Sequence, residues 1–186
     1  MSSMSPVASG AATYTIEPAH SAAHFKVRHL MISNVRGEFR KVSGTITFDP
    51  ANPAASSVVA EIDVNSIGTR EPDRDNHLKS ADFFDAANFP TIRFQSKKVE
   101  PEGDGAYKVT GDLTIRGVTR EVVLQVEGPT AEIKDPWGYN RRGAEAVTKI
   151  NRKDFGLVWN QVLEAGGVAV GDEIEISLEV ELVKAA

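Results

Sequence analysis

The segment at residues 173–182, E-I-E-I-S-L-E-V-E-L, alternates polar and apolar residues without a break. Successive side chains of a β-strand point to opposite faces, so this period of two places five apolar side chains on one face. The opposite face carries four glutamates and one serine. The segment is therefore predicted to be a strand with one buried face and one face in water, a pattern typical of antiparallel sheets.

Similar alternation recurs along the chain between short turns. The predicted strands cover residues 14–16, 21–29, 35–48, 58–64, 107–115, 118–126 and 143–151, with another that begins at residue 91. Turns such as Asp49-Pro50 and Arg116-Gly117 separate them, and long crossover segments are nearly absent. The predicted fold class is all-β, an antiparallel up-and-down barrel with short helical segments closing it. A sandwich of two sheets is the alternative.

Residues 74–94, R-D-N-H-L-K-S-A-D-F-F-D-A-A-N-F-P-T-I-R-F, interrupt the alternation. The stretch is too apolar for a solvated loop because it contains three phenylalanines before its proline, yet its charges are too dense for a core strand. Asp73 and Asp82 are predicted to cap two short helices here. Such a segment suits the closure of a cavity, with rings facing inward and charges at the rim. The alternative is a helical plug that only seals a barrel end.

Length and composition limit the classes of protein that the chain can form. The 186 residues fit one domain, predicted at residues 14–186 after a disordered tail at residues 1–13. A formal net charge of −5 argues against nucleic-acid binding. No apolar run approaches the roughly 20 residues of a membrane-spanning helix, so no integral membrane segment is expected. The absence of cysteine excludes disulfides and thiolate metal sites.

The first twelve residues, M-S-S-M-S-P-V-A-S-G-A-A, have neither a basic start nor an apolar block. They do not form a secretory signal, so a cytoplasmic location is expected. A periplasmic location is the alternative, if a signal peptide has been removed.

Small residues share the inward faces of the predicted strands with large ones. They are Gly44, Ala60, Gly111, Ala144 and Ala146. A barrel of about eight strands is either filled by its side chains or holds one small ligand. The small residues therefore indicate either taper packing or a cavity, and both interpretations stay open at this point.

Motifs for catalysis and metal binding are missing from the sequence. His24 and His29 point to opposite faces of one strand, and no H-E-x-x-H helix, G-x-S-x-G turn or phosphate-binding glycine loop occurs. No metal site and no catalytic residue are predicted. Cations do gather in the irregular segments, where they form either a rim for an anionic head group or ordinary surface charge.

Several motifs, in this order and spacing, resemble the YceI-like, or polyisoprenoid-binding, family of lipocalin-like proteins. They run from residue 14 to residue 183 as Y-T-I-E-P-A-H-S, F-K-V-R-H, G-E-F, R-D-N-H-L-K-S-A-D-F-F-D, F-P-T-I-R-F-Q-S, G-D-L-T-I-R-G-V-T-R, I-N-R-K-D-F-G-L and G-G-V-A-V-G-D-E-I-E-I. The resemblance implies a lipocalin-like barrel whose apolar channel takes a long isoprenoid chain, such as a polyprenyl phosphate or a quinone tail.

The sequence and this resemblance together lead to one hypothesis, a non-catalytic protein that binds and transports or sequesters an isoprenoid lipid. The residues expected to line its channel are Phe25, Phe39, Phe48, Phe83, Phe84, Phe89, Phe94, Trp137, Phe155 and Trp159. Those expected at the head group are Arg36, Arg74, His77 and Arg142. The lipid is the expected partner, no other cofactor is expected, and a homodimer is left open.

Two other hypotheses remain. One is an enzyme acting on a lipid or a small polar substrate through His77, Asp75 and His29. The other is a stress-related structural module with a filled barrel.

Overall fold

A computed structural model of the chain describes residues 10–164 and 166–185. The predicted tail falls outside the described residues as far as Ser9, while Ala12 and Thr13 belong to the first strand. The described residues contain one α-helix, α1 (Pro72–Lys79), and twelve strands. The strands are β1 (Ala12–Ile16), β2 (Ala22–His29), β3 (Ser33–Phe39), β4 (Val42–Phe48), β5 (Ser57–Asp63), β6 (Ile67–Gly68), β7 (Thr91–Pro101), β8 (Ala106–Ile115), β9 (Val118–Glu127), β10 (Ile133–Lys134), β11 (Asn140–Asn151) and β12 (Val170–Lys184).

Eight of these strands close into an antiparallel barrel, which confirms the predicted fold class. Their hydrogen-bonded order is β11-β9-β8-β7-β5-β4-β1-β12, and β12 pairs again with β11 to complete the circle. Nearly every neighbour in this order is also a near neighbour in sequence, as short turns and one-sided burial require.

The last strand, β12, spans the length of the barrel. One edge pairs with β11 from Glu173 to Val183, and the other edge pairs with β2 near Val170 and with β1 near Lys184. The strands β1 and β2 are therefore two halves of one bent strand, interrupted by the short 3-10 turn Pro18–His20. We call the end of the barrel near Val170 the helix end and the end near Lys184 the far end.

At the helix end the sheet is incomplete, and α1 closes it. The short strand β6 pairs only with Glu38 and Phe39 of β3, so a gap separates it from β7. The helix α1 and the turns at residues 80–89 fill this gap. The predicted second helix after Asp82 is wrong, because these residues form turns and Asp85 has a left-handed φ of 49° that ends any helical path. Glu71, not Asp73, precedes the helix, whose first residue is Pro72.

The core lies on the inward faces of the strands. Tyr14, Val42 and Leu182 are each at most 1% exposed. The apolar residues of β12 at positions 174, 176, 178, 180 and 182 all face inward, as their alternation predicts.

Candidate ligand-binding cavity

The interior of the barrel is hollow and contains a cavity of about 240 Å³. Its wall consists almost wholly of apolar atoms from the inward faces of the barrel strands and β2, from α1 and from residues 83–84. A few polar residues border it but present almost no polar surface to it; they are His24, Ser56, Glu145, Thr148 and Arg152. The hypothesis of a barrel filled by interlocking side chains does not fit this interior.

Small residues on two strands create part of the open volume. Ala60 of β5 and Ala144 and Ala146 of β11 line the cavity, with no larger side chain in their places. Gly111 behaves differently, because the ring of Phe94 lies against it and would meet a Cβ at 2.5 Å. A large neighbouring side chain therefore fills the space at Gly111, whereas the space beside the three alanines is open.

Aromatic rings form the wall of the cavity toward the helix end. The rings of Phe25, Phe39 and Phe84 follow one another with centroids 5.6 Å apart at each step. Gly37, the cross-strand partner of Phe25, leaves room for that ring, because a Cβ there would lie 2.3 Å from it. Phe84 belongs to the stretch after α1, so the segment that interrupts the alternation supplies cavity wall.

Local hydrogen bonds hold α1 in position against the sheet. The carboxylate of Asp75 accepts hydrogen bonds from the backbone N–H and the hydroxyl of Thr69, at 2.8 and 2.6 Å. Arg74 donates to the hydroxyl and the carbonyl of the same threonine, at 2.8 and 2.6 Å. This arrangement turns Leu78 and Phe84 toward the cavity, which both of them line.

A second aromatic cluster lies beneath the cavity, at the helix end. The Trp159 ring packs against His77 and Phe83, with centroids 4.8 and 5.4 Å away. Arg116, in the β8–β9 turn, donates a hydrogen bond of 3.0 Å to the carbonyl of Phe83. These contacts join residues 80–89 to residues 152–159, and we call the two segments together the floor of the cavity.

Arg152 holds this floor to the barrel and is 3% exposed. Its guanidinium donates four hydrogen bonds of 2.7–3.3 Å to backbone carbonyls. The accepting carbonyls belong to Leu157, Trp159, Val170 and Gly171. Burial lowers the pKa of Arg152 from its usual range, and the charge of Asp172 partly offsets this effect. The planar fork of arginine suits such a set of acceptors.

Sequence reasoning missed this role, because Arg152 is one of the cations of the irregular segments, for which only a head-group rim or ordinary surface charge is expected. A signal was available: Ala144, Ala146, Thr148 and Ile150 face inward on β11, and position 152 continues the same parity.

Seven of the ten residues predicted to line the channel do line the cavity. They are Phe25, Phe39, Phe48, Phe83, Phe84, Phe94 and Phe155. Trp159 packs behind Phe83 instead of on the wall itself. The predicted placement of Phe89 is wrong, because its ring lies beside Gly117 in the β8–β9 turn, outside the lining.

Trp137 is a second correction, since it is 77% exposed and lies at the far end. It occupies the turn between β10 and β11, where the Asp135 carboxylate accepts hydrogen bonds from the N–H groups of Trp137 and Tyr139. Although desolvation opposes it, the hydrogen bond from Arg141 and these two backbone donors lower the pKa of Asp135 below its usual value. A charged turn held this firmly keeps the indole outside the barrel.

The four residues predicted to bind a head group do not converge. Arg36 is exposed on β3, and Arg142 lies at the far end, where it donates to the Tyr14 hydroxyl at 2.8 Å. Arg74 and His77 share α1, but Arg74 is bound to Thr69. The cavity wall itself presents almost no polar surface that could bind a head group.

The candidate acid–base residues also have separate partners. His77 pairs with Asp82 at 2.8 Å, and Asp75 bonds to Thr69. His29 lies at the end of β2, opposite Ser33 and Val170. Within residues 10–164 and 166–185, no group of acidic or histidine side chains has an arrangement that could hold a metal ion.

A family model described as the YceI-like domain matches residues 14–182. The chain belongs to the YceI-like family. A UPF0312 protein of Vibrio cholerae is 43% identical to this YceI-like chain over 154 residues, which cover 82% of the chain and 81% of that relative. The resemblance seen in the motifs is thereby confirmed.

Solved structures show the same YceI-like fold. BcnA of Burkholderia cenocepacia superposes with a TM-score of 0.76 at 26% identity, over 89% of this chain and 98% of BcnA. A polyisoprenoid binding domain from Saccharophagus degradans superposes with a TM-score of 0.67 at 15% identity, over 92% of this chain and 98% of that domain. At that identity the second likeness is one of fold.

None of the helices in the described part of this YceI-like chain has the length and apolarity needed to cross a bilayer.

Proposed function

We propose that this protein binds the hydrocarbon chain of an isoprenoid lipid in its barrel cavity and transports or sequesters the lipid without changing it chemically. The apolar cavity of about 240 Å³ carries the proposal. One neighbour in fold is described as a polyisoprenoid binding domain, and we extend that ligand class to this chain as part of the proposal.

Burial of hydrocarbon is sufficient to hold such a ligand. A buried CH₂ group contributes about 0.8 kcal/mol, so one five-carbon isoprene unit contributes roughly 3–4 kcal/mol before ordering costs. The cavity wall presents almost no polar surface, so the polar head of the lipid lies outside the cavity. The hydrocarbon chain therefore sets the affinity, and the head group contributes little.

A series of prenyl ligands tests this division. In a titration with a fluorescent prenyl probe, competing prenyl alcohols should gain about tenfold or more in affinity with each added isoprene unit until the cavity is full. At the same chain length, the affinities of the phosphate and the alcohol should differ by less than the change in affinity that one added isoprene unit produces.

The same titration includes a control variant and an outcome that would contradict the proposal. The substitution Arg36→Ala should leave probe affinity within about threefold, because Arg36 is exposed on β3 and lies outside the lining. A head-group effect larger than the effect of an added isoprene unit would count against the proposal.

A further inference from the structure

Four apolar side chains project into solvent at the helix end, and we call this group the apolar tip. Leu30, Met31 and Ile32 form the β2–β3 turn and are 37%, 50% and 76% exposed, and Val162 of the neighbouring loop is 79% exposed. The turn and the loop touch, because Leu30 N–H donates to the Ala169 carbonyl at 2.8 Å. Val162 pairs with Val168 in the same loop, so the turn and the loop lie side by side.

The backbone of the tip has a conformation that large apolar residues rarely adopt. Leu30 and Met31 have left-handed φ values of 51° and 61°, and the Ile32 N–H closes the turn on the His29 carbonyl at 3.1 Å. A β-turn whose two central residues both have positive φ angles favours Asn-Gly. Large apolar residues at positive φ are uncommon, and strain of this kind concentrates at functional sites. The chain accepts strain here and displays two large apolar side chains.

The tip adjoins the cavity. Phe25 and Val27, on the same hairpin, line the cavity, as do Leu78 and Ile174 around them. These four residues are all partly exposed. The cavity therefore reaches the hairpin that carries the tip.

We propose that the apolar tip inserts into the surface of a lipid bilayer, where the cavity exchanges its hydrocarbon ligand with the membrane. The inference rests on the proposed function, because a chain that fits an apolar cavity has its reservoir in a bilayer and not in water. The net charge of −5 gives no attraction to anionic lipids, so insertion of apolar side chains drives the binding. A second copy is a poorer occupant, because four side chains fall well short of the about 800 Å² per partner of a stable interface.

Sedimentation with sucrose-loaded phosphatidylcholine vesicles tests the proposal. The double substitution Leu30→Asn/Met31→Gly should reduce vesicle binding by about tenfold or more, since it removes two inserted side chains. The same change relieves the backbone strain, so the thermal midpoint of unfolding should rise by about 2–4 °C. If the variant binds vesicles more weakly although its fold is more stable, the loss of binding is due to lost docking and not to unfolding.

Trp137 provides the matched control, because at 77% it is more exposed than Leu30 and Met31 and lies at the far end. The substitution Trp137→Ser should leave vesicle binding unchanged. The proposal is overturned if the double variant binds vesicles as well as the unsubstituted chain, if Trp137→Ser alone abolishes binding, or if the double substitution only dissolves a dimer. The prenyl-probe titration of the unsubstituted chain without vesicles separates the two proposals. If the chain binds the probe but not the vesicles, only the proposed role of the apolar tip is wrong. If it does not bind the probe, the proposed function is wrong.

Discussion

The Ala146→Trp variant is expected to bind the prenyl probe at least about 100-fold more weakly than the unsubstituted chain. Ala146 lies on the inward face of β11, between Val126 and Leu178, and lines the cavity. An indole at this position would occupy space that the isoprenoid chain needs. The binding isotherm of the probe measures this effect, and circular dichroism confirms that the variant is folded.

The next residue in the same strand provides the matched control. Val147 is 52% exposed and has the opposite parity, so a tryptophan there points into solvent. Val147→Trp should keep its probe affinity within about twofold. If a folded Ala146→Trp variant bound the probe normally, the ligand would lie somewhere other than in this cavity.

The Arg152→Met variant is expected to lose about 3–5 kcal/mol of unfolding free energy. The substitution leaves four backbone carbonyls without the donors that the buried guanidinium supplies. Arg152→Lys should restore only part of this loss, because an ammonium group cannot match the planar fork. Urea unfolding monitored by circular dichroism gives the free energies.

The neighbouring residue Lys153 is the control for this experiment. Its side chain is 48% exposed and lies 3.3 Å from Asp172, so Lys153→Ala should change stability by less than about 0.5 kcal/mol. Equal stabilities of Arg152→Met and Lys153→Ala would show that the carbonyls find water instead, and that Arg152 does not hold the floor of the cavity.

The fold was predictable because alternation fixes which face of a strand is buried. The pattern at residues 173–182 became β12, the strand that closes the barrel against β11. The hollow interior was not decided by the same pattern. Gly111 and Ala146 are both small inward residues, but only the structure shows that Phe94 covers one and that nothing covers the other.

The candidate site was only partly predictable because residue type does not determine direction in irregular segments. Phe84 and Trp137 are both aromatic residues outside the regular strands, yet one lines the cavity and the other is exposed on a turn. The arginines predicted to bind a head group do not converge, for a related reason. Their convergence depends on how loops meet, and Arg74 and Arg142 meet different partners at different places.

Mass spectrometry of lipid extracted from the protein after purification without detergent shows whether an isoprenoid chain occupies the barrel. We expect a prenyl lipid at close to one molecule per chain, and none in the Ala146→Trp variant purified in parallel. Recovery of no lipid, or of equal amounts of lipid from both proteins, would contradict the claim that an isoprenoid chain occupies the barrel.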